Sequence, residues 1–215
     1  SYAEGSVIIE AGLTRILCSV TVQDGVPKFL KGSGGGWITA EYAMLPSSTL
    51  TRISRDSRTG GRAREIQRLI GRSLRAAVDM QMLGERTLNI DCDVIQADGG
   101  TRTASITGAY VALHQALINM KERNDIQCLP IINGVAAVSV GIINDTPILD
   151  MAYEEDVLAD TDFNVVMTDQ GEFVEIQGTA ETKPFSPIIL DDVLTLANEG
   201  IGQLLKIQSH VIKSF

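Results

Sequence analysis

The sequence predicts an α+β (mixed α/β) fold in which helices pack against mixed sheets. Runs rich in β-branched residues alternate with stretches whose apolar residues recur every three or four positions. The order is strands, helix, strand, helix, strands, helix, with no low-complexity linker or fixed repeat. With 215 residues, of which 44% are hydrophobic, the chain can bury a sizeable core. We therefore expect a single domain over residues 1–215.

The amino-terminal part of the chain is predicted to be mostly strand. Residues 6–22 carry two β-branched runs around a glycine-containing turn, which predicts two strands. Glycines over 32–36 predict a loop before a short strand that begins at Trp37. Residues 46–62 combine Pro, Ser, Thr, Gly and Arg without periodicity, and this composition predicts a second loop.

A helical period begins at about Arg62 and predicts one helix that ends near Leu83 and Gly84. Its apolar face consists of Ile66, Leu69, Ile70, Leu74, Ala77 and Val78. Further along, we expect strands at 85–96, 131–142 and 147–151 and a helix that ends near Lys121. An acidic connector, a hairpin that turns at 169–171, and a final amphipathic helix from Ser186 complete the chain.

The charge distribution separates a basic segment from an acidic remainder. The net charge is −9, but residues 51–75 contain eight arginines and two acids and carry +6, which leaves −15 elsewhere. A focused basic zone on an acidic protein can bind a phosphate chain. The alternative is a solvated arginine-rich helix, and charge alone does not separate the two.

Membrane, disulfide and zinc functions are not indicated. No apolar run approaches the roughly 20 residues of a membrane span, and residues 1–12 show no secretory pattern. The three cysteines have no paired spacing, and there are only two histidines. We expect reduced, mostly buried thiols in a cytoplasmic protein without a membrane partner.

A double glycine that precedes a helix predicts an anion site at residues 98–105, whose sequence is DGGTRTAS. The first backbone N–H groups of a helix lack internal partners, and glycine lets an anion approach the backbone closely. Arg102 adds a fixed charge, and Thr101, Thr103 and Ser105 add hydroxyl groups. The alternative is a tight turn in which Thr103 is the helix N-cap.

Two further features support a phosphate-handling site. Arg62 follows a second glycine pair at another predicted helix start, so two arginines could converge on one phosphate ion. The acidic segment 150–162 contains carboxylates that could share Mg²⁺ or protonate a leaving oxygen. An acidic surface loop is the alternative for that segment.

Five blocks of the sequence resemble a known family. Residues 36–42, 65–72, 91–108, 153–156 and 174–180 resemble the signature blocks of the phosphorolytic exoribonucleases that include bacterial ribonuclease PH. The resemblance extends over essentially the whole chain. It implies a ribosomal protein S5 domain 2-like βαβα fold with a mixed sheet. It also implies phosphate-dependent 3′→5′ trimming of tRNA precursors and other RNA 3′ ends, with release of nucleoside diphosphates, and a reverse reaction that adds nucleotides.

The resemblance also implies roles for particular residues and partners. It makes Arg62, Gly100, Thr101, Arg102 and Thr103 phosphate-binding, and Asp156 and Asp162 both catalytic and the ligands of Mg²⁺. It makes Arg52, Arg55 and Arg58 RNA-binding. Orthophosphate is then a co-substrate, the assembly is a homo-hexamer built as a trimer of dimers, and the partner is RNA and not DNA.

Two departures from the family pattern bear on these roles. About twenty residues that usually precede the position of Ser1 are absent from the sequence, and the loop over 46–62 is about three residues short. A short loop bears on the three RNA-binding arginines and not on the phosphate site. Two other functions remain open at this stage: a non-catalytic ring subunit, and an RNA-binding module that responds to phosphate without turnover.

Overall fold

The computed structural model describes residues 2–56 and 60–215. These described residues form two four-stranded sheets and five helices. The strands are β1 Gly5–Ala11, β2 Thr14–Asp24, β3 Trp37–Met44, β4 Arg86–Gln96, β5 Val135–Ile143, β6 Thr146–Leu149, β7 Thr161–Thr168 and β8 Phe173–Ala180. The helices are α1 Gly61–Arg75, α2 Met80–Leu83, α3 Thr101–Glu122, α4 Tyr153–Asp156 and α5 Pro187–Ile212.

The first sheet is mixed and the second is antiparallel. In the first, the order is β1-β2-β4-β3, and β3 runs parallel to β4 because α1 and α2 connect them. In the second, the order is β6-β5-β7-β8, with every pair antiparallel. One mixed and one antiparallel sheet with packed helices confirm the predicted α+β fold class.

Helix α3 lies between the two sheets, since it packs against β1 and β2 on one side and against β5 on the other. This position explains why nearly all of its residues from Thr103 to Leu113 are buried. Alternate residues of β5 then face different cores. Val135 and Ala137 join the core around α3, whereas Ala136 and Val138 join a second core that α5 covers.

The helix predicted to run unbroken to Leu83 is interrupted at residues 76–79, and that prediction is wrong. The backbone leaves the helix there to bond with the segment before β5: Ala77 accepts hydrogen bonds from Ile132 and Asn133. Asp79 then caps the short α2 by accepting hydrogen bonds from two of its backbone N–H groups. Tertiary hydrogen bonds therefore overrode a continuous helical pattern. The predicted end at Leu83 is confirmed.

The other predicted elements lie close to their expected places. β5 begins at Val135 instead of residue 131, because Ile131 makes only an isolated bridge to Val78. The acidic connector contains the short helix α4. No helix in the described part of the chain is long and apolar enough to cross a bilayer. That residues 1–215 form a single domain stays a prediction.

The packing of α3 against the first sheet predicts opposite effects for two glycine substitutions. A Cβ at Gly108 would lie 2.8 Å from Ile9 Cγ2 and 3.0 Å from Cys18 Sγ, whereas a Cβ at Gly202 in α5 would meet nothing within 4 Å. We expect Gly108→Ala to lower the free energy of unfolding by about 1–3 kcal/mol through overpacking. Gly202→Ala should instead raise it by roughly 0.5–1 kcal/mol, because alanine favours the helix. Urea unfolding curves measure both, and equal changes would contradict the described packing.

Candidate active site

The amino end of α3 is shaped by two glycines in the left-handed region. Gly99 has φ +83° and Gly100 has φ +55°, and Gly100 is the N-cap of the helix. A Cβ on Gly99 would collide with the carbonyl oxygen of Met151, so only glycine allows this close approach. Thr14 also holds the loop, because its Oγ1 donates to the Gly99 carbonyl at 2.8 Å and accepts from the Asp98 N–H at 2.9 Å.

The hydroxyl groups around this turn have different partners. Thr103 is buried and its Oγ1 donates to the Gly100 carbonyl at 2.9 Å, so Thr103 is not the N-cap. Ser105 Oγ likewise donates to the Thr101 carbonyl at 2.7 Å. Thr101 is half-buried, and its Oγ1 lies 2.8 Å from the hydroxyl of Tyr42. Of the three hydroxyls, that of Thr101 is the one directed toward the site, while Thr103 can offer its backbone N–H.

The two predicted arginines act on the same groups. Arg62 is the second residue of α1 and Arg102 the second residue of α3. Burial raises the pKa of the Tyr42 phenol, and the positive charges of Arg62 and Arg102 oppose that rise. Burial also raises the pKa of Asp162, and the same two guanidinium groups oppose that rise. Both arginines are therefore within electrostatic range of one tyrosine and one carboxylate. That they share one phosphate site stays a prediction.

Asp162 is the more enclosed of the two predicted catalytic aspartates. It lies on β7, where Oδ2 accepts a hydrogen bond from Asn164 Nδ2 at 3.2 Å. Burial raises the pKa of Asp162, the nearby charge of Asp156 adds to the rise, and the two arginines and Asn164 only partly offset it. Asp156 is exposed at the end of α4. The charge of Asp156 thus acts on Asp162, and of the two carboxylates only Asp162 is partly sheltered from solvent.

A cavity of about 160 Å³ connects Arg102 with Asp162. Residues that sequence reasoning had not assigned to the site complete its lining: Glu65, Asn164, Gln177, Thr179 and Glu181. Strand register accounts for the grouping, because Asp162 pairs with Thr179 and Asn164 with Gln177 across β7 and β8. The block 174–180 had been noted for its resemblance, yet one dimension gives no sign that its polar side chains face the aspartate.

The predicted RNA-binding arginines that the structure describes are not among the residues that line this cavity. Arg52 and Arg55 are exposed in the loop before α1. Arg58 lies outside the described residues. Among the described residues, no group of three or more His, Cys, Asp or Glu side chains is placed to hold a metal ion.

Comparison with known proteins identifies the class to which this fold and site belong. The sequence pattern described as "3′ exoribonuclease family, domain 1" matches residues 1–119, and that described as domain 2 matches residues 133–200. The chain therefore belongs to the 3′ exoribonuclease family. It is 58% identical over 214 residues to the ribonuclease PH of Syntrophomonas wolfei, a match that covers 98% of this chain and 90% of that protein. A ribonuclease PH of Dehalococcoides mccartyi is also 58% identical, over 98% of this chain and 89% of that protein.

Solved structures share the fold at low sequence identity. A chain of the Archaeoglobus fulgidus exosome with RNA bound to the active site matches with a TM-score of 0.79 and 22% identity, over 96% of this chain and 84% of that one. Rice Rrp46 matches with a TM-score of 0.79 and 15% identity, over 99% and 90% of the two chains. The family membership confirms the predicted enzyme class, a phosphorolytic 3′→5′ exoribonuclease.

The raised pKa of Asp162 predicts a pH-dependent gain in stability when its charge is removed. The folded-state pKa lies above the unfolded value, so ionisation of this carboxyl destabilises the fold as pH rises through the raised pKa. We expect Asp162→Asn to raise the free energy of unfolding at pH 7, with a gain that shrinks toward pH 3. Asp192→Asn, on the exposed side of α5, should show no such trend. Urea unfolding at several pH values tests this, and a gain that grows toward acid pH would refute it.

Proposed function

We propose that Arg62 and the Gly100–Thr103 turn bind the orthophosphate that this enzyme uses to shorten RNA 3′ ends. The observation that carries the proposal is the convergence of two guanidinium charges on Tyr42 and Asp162. Both arginines lie in the first turn of a helix that has a glycine N-cap. The positive ends of the helix dipoles and the free N–H groups of those turns would add to the attraction for a dianion.

In the proposed reaction, an oxygen of orthophosphate attacks the last internucleotide phosphorus in line. The bond from that phosphorus to the 3′ oxygen of the preceding nucleotide breaks, and the 3′ oxygen takes up a proton. The terminal nucleotide leaves as a nucleoside diphosphate, and the reverse reaction adds a nucleotide and releases phosphate. The arginines would reduce the repulsion between the two phosphate groups, so positioning and electrostatics supply most of the rate enhancement.

Asp162 is the proposed proton donor to the leaving oxygen. A general acid works best when its pKa lies nearer the working pH, and burial moves the pKa of Asp162 in that direction. Asp156 and, in its ionised form after the proton has left, Asp162 are also the side chains that would hold Mg²⁺. The residues fit the ion in donor type, because Mg²⁺ usually keeps several waters and needs only one or two carboxylates beside the substrate phosphates. When bound, the ion would supply positive charge to the transferring phosphoryl group.

RNA would reach this site along the basic segment before α1. Arg52 and Arg55 are exposed there and could contact the phosphate backbone, and Arg58 is assigned the same role from the sequence. The proposed substrates are the 3′ ends of tRNA precursors. An RNA substrate agrees with the name of the relatives, which are ribonucleases. The exposed charge of Arg52 and Arg55 makes the proposed binding sensitive to salt.

The proposed assembly is a homo-hexamer arranged as a trimer of dimers. Large apolar side chains are exposed on the first sheet, namely Ile8, Leu17 and Ile95, and Leu13 is exposed in the turn between β1 and β2. These side chains fit a subunit interface better than a solvated surface. We also propose a cytoplasmic location, which agrees with the free thiols of Cys18, Cys92 and Cys128. Two of these thiols are buried, as expected, and Cys128 is exposed.

Removal of Arg102 should weaken phosphate binding. We expect Arg102→Ala to raise the phosphate KM roughly ten- to a hundredfold, the cost of losing a charge-assisted contact. Arg15→Ala, which removes an exposed arginine paired with Glu10, is the control and should leave this KM unchanged. The measurement is the rate of diphosphate release from a tRNA precursor as phosphate is varied. Equal phosphate dependence in both variants would remove Arg102 from the proposed site.

Removal of Asp162 should separate binding from turnover. Asp162→Ala is expected to lower kcat at least a hundredfold, the typical order for loss of a positioned acid, while it leaves RNA affinity within a few-fold. Filter binding at fixed salt and single-turnover product analysis measure the two quantities. Near-normal turnover would refute the assignment.

One assay separates this function from the other two readings of the sequence. A tRNA precursor is incubated with Mg²⁺, with and without phosphate, and the products are resolved by chromatography. Nucleoside diphosphates that require phosphate support phosphorolysis, whereas monophosphates indicate hydrolysis. RNA binding without products would indicate a non-catalytic ring subunit or a binding module.

A further inference from the structure

We propose that Gln177 is a positioning residue that orients the Arg102 guanidinium for phosphate, and that Glu65 fixes the orientation of the Gln177 amide. This inference rests on the proposed phosphate site. It assigns a role to a side chain on β8 that does not itself bind the anion, and it connects the two helices whose first turns hold Arg62 and Arg102.

The three side chains form a continuous chain of hydrogen bonds across three elements. Arg102 Nη1, from the first turn of α3, donates to Gln177 Oε1 at 3.1 Å. Gln177 Nε2 donates to Glu65 Oε1 at 2.6 Å, and Glu65 lies in α1 one turn after Arg62. Gln177 therefore bridges α3 to α1 from an edge strand of the second sheet.

The chemistry of the two partners allows the Gln177 amide only one orientation. An arginine can only donate hydrogen bonds, and an ionised carboxylate can only accept them. The amide oxygen must therefore face Arg102 and the amide nitrogen must face Glu65. If the amide turned over, two donors would meet at one end and two acceptors at the other, so Glu65 keeps the oxygen directed at Arg102.

The position of Gln177 also relates Arg102 to the proposed acid. Gln177 pairs with Asn164 across β7 and β8, and Asn164 donates to Asp162 at 3.2 Å. All four side chains line the same cavity of about 160 Å³. Two neighbouring amides in one sheet thus hold the arginine and the aspartate, and the sheet sets their separation.

Anchoring one edge of the guanidinium leaves its other donors free to bind. Arginine carries five N–H donors in a rigid planar fork, and within the described residues Arg102 uses one of them on Gln177. A bond at one edge restricts the rotation of the fork, so the remaining donors keep a narrower range of directions. Loss of the hydrogen bond to Gln177 would leave the Arg102 charge in place but let its N–H donors turn away from the phosphate.

The chain offers a matched control beside Gln177 on the same strand. Glu175 pairs with Arg72 at 2.8 Å, and this contact also joins β8 to α1. Glu175 lies two residues before Gln177, and it contacts neither Arg102 nor the cavity. A substitution at Glu175 therefore reports what any weakening of the contact between β8 and α1 does to the enzyme.

The experiment compares Gln177→Met with Glu175→Gln in the full chain. Methionine keeps the length of glutamine but can neither hold Arg102 nor bond to Glu65. We expect Gln177→Met to raise the phosphate KM about tenfold, because the charged hydrogen bond from Arg102 to phosphate would be misaligned and therefore weaker. Its kcat at saturating phosphate, its RNA KM and its melting temperature should match those of Glu175→Gln.

A second comparison tests the role of Glu65. Glu65→Met should raise the phosphate KM by a smaller factor, because the released amide still faces Arg102 part of the time. The double variant with Gln177→Met should be no worse than Gln177→Met alone, since both changes break one chain of bonds. Factors that multiply in the double variant would refute the chain.

The outcomes also distinguish this inference from the proposed function. If the unmodified enzyme shortens RNA without any dependence on phosphate and releases nucleoside monophosphates, or releases no product, the proposed function fails. If the unmodified enzyme depends on phosphate but Gln177→Met and Glu175→Gln share one phosphate KM, the inference alone fails. A fall in kcat, or a rise in RNA KM equal to that for phosphate, would likewise overturn the assignment of Gln177 to the phosphate-binding arginine.

Discussion

The placement of the first turn of α3 is the constraint on which the rest of the site depends. The helix fills the space between the two sheets, so its axis is set by apolar packing on both sides. Its amino end is then set by Gly99 and Gly100, whose left-handed backbone brings the turn against Met151. Because the core fixes the helix and the glycines fix its start, the backbone that carries Arg102 has a fixed position.

The second sheet supplies the opposite side of the site. The antiparallel pairing of β7 with β8 places Asp162 beside Thr179 and Asn164 beside Gln177, so polar side chains from two strands share one face. The arginines approach that face from two helix starts. The result is a small polar space in which positive and negative groups oppose each other, while the apolar residues of β5 and β7 stay in the cores behind it.

The overall charge of the molecule agrees with this local arrangement. The acidic remainder of the chain would repel a polyanion, whereas the arginine-rich segment 51–75 and the amino ends of α1 and α3 attract one. The arginines of α1 do not all serve that purpose. Arg75 turns inward to bond the Ile38 carbonyl and lies 4.3 Å above the Trp37 ring, and Arg72 pairs with Glu175. Both arginines therefore join the helix to a sheet, although Arg72 remains exposed and only Arg75 is half-buried.

Local pattern predicted most of the elements and the sharpest motif. The alternation in β4, the turn at 169–171 and the glycine pair before α3 each reflect backbone geometry that a few consecutive residues set. The predicted continuous helix failed at residues 76–79, because the bonds that end it come from residues 130–133. A bond over that separation leaves no trace in a local period.

Sequence by itself determined the family, and it indicated the two arginines, the paired aspartates and the glycine pair of the proposed site, because these are chemical identities and short-range backbone requirements. Only the tertiary structure decided which other side chains meet them. Tyr42 on β3 contacts Thr101 at the start of α3. Gln177 lies between Glu65, which is 112 residues away in the chain, and Arg102, which is 75 residues away. Such contacts depend on sheet register and helix packing, which follow from the burial of the whole core and not from any one segment.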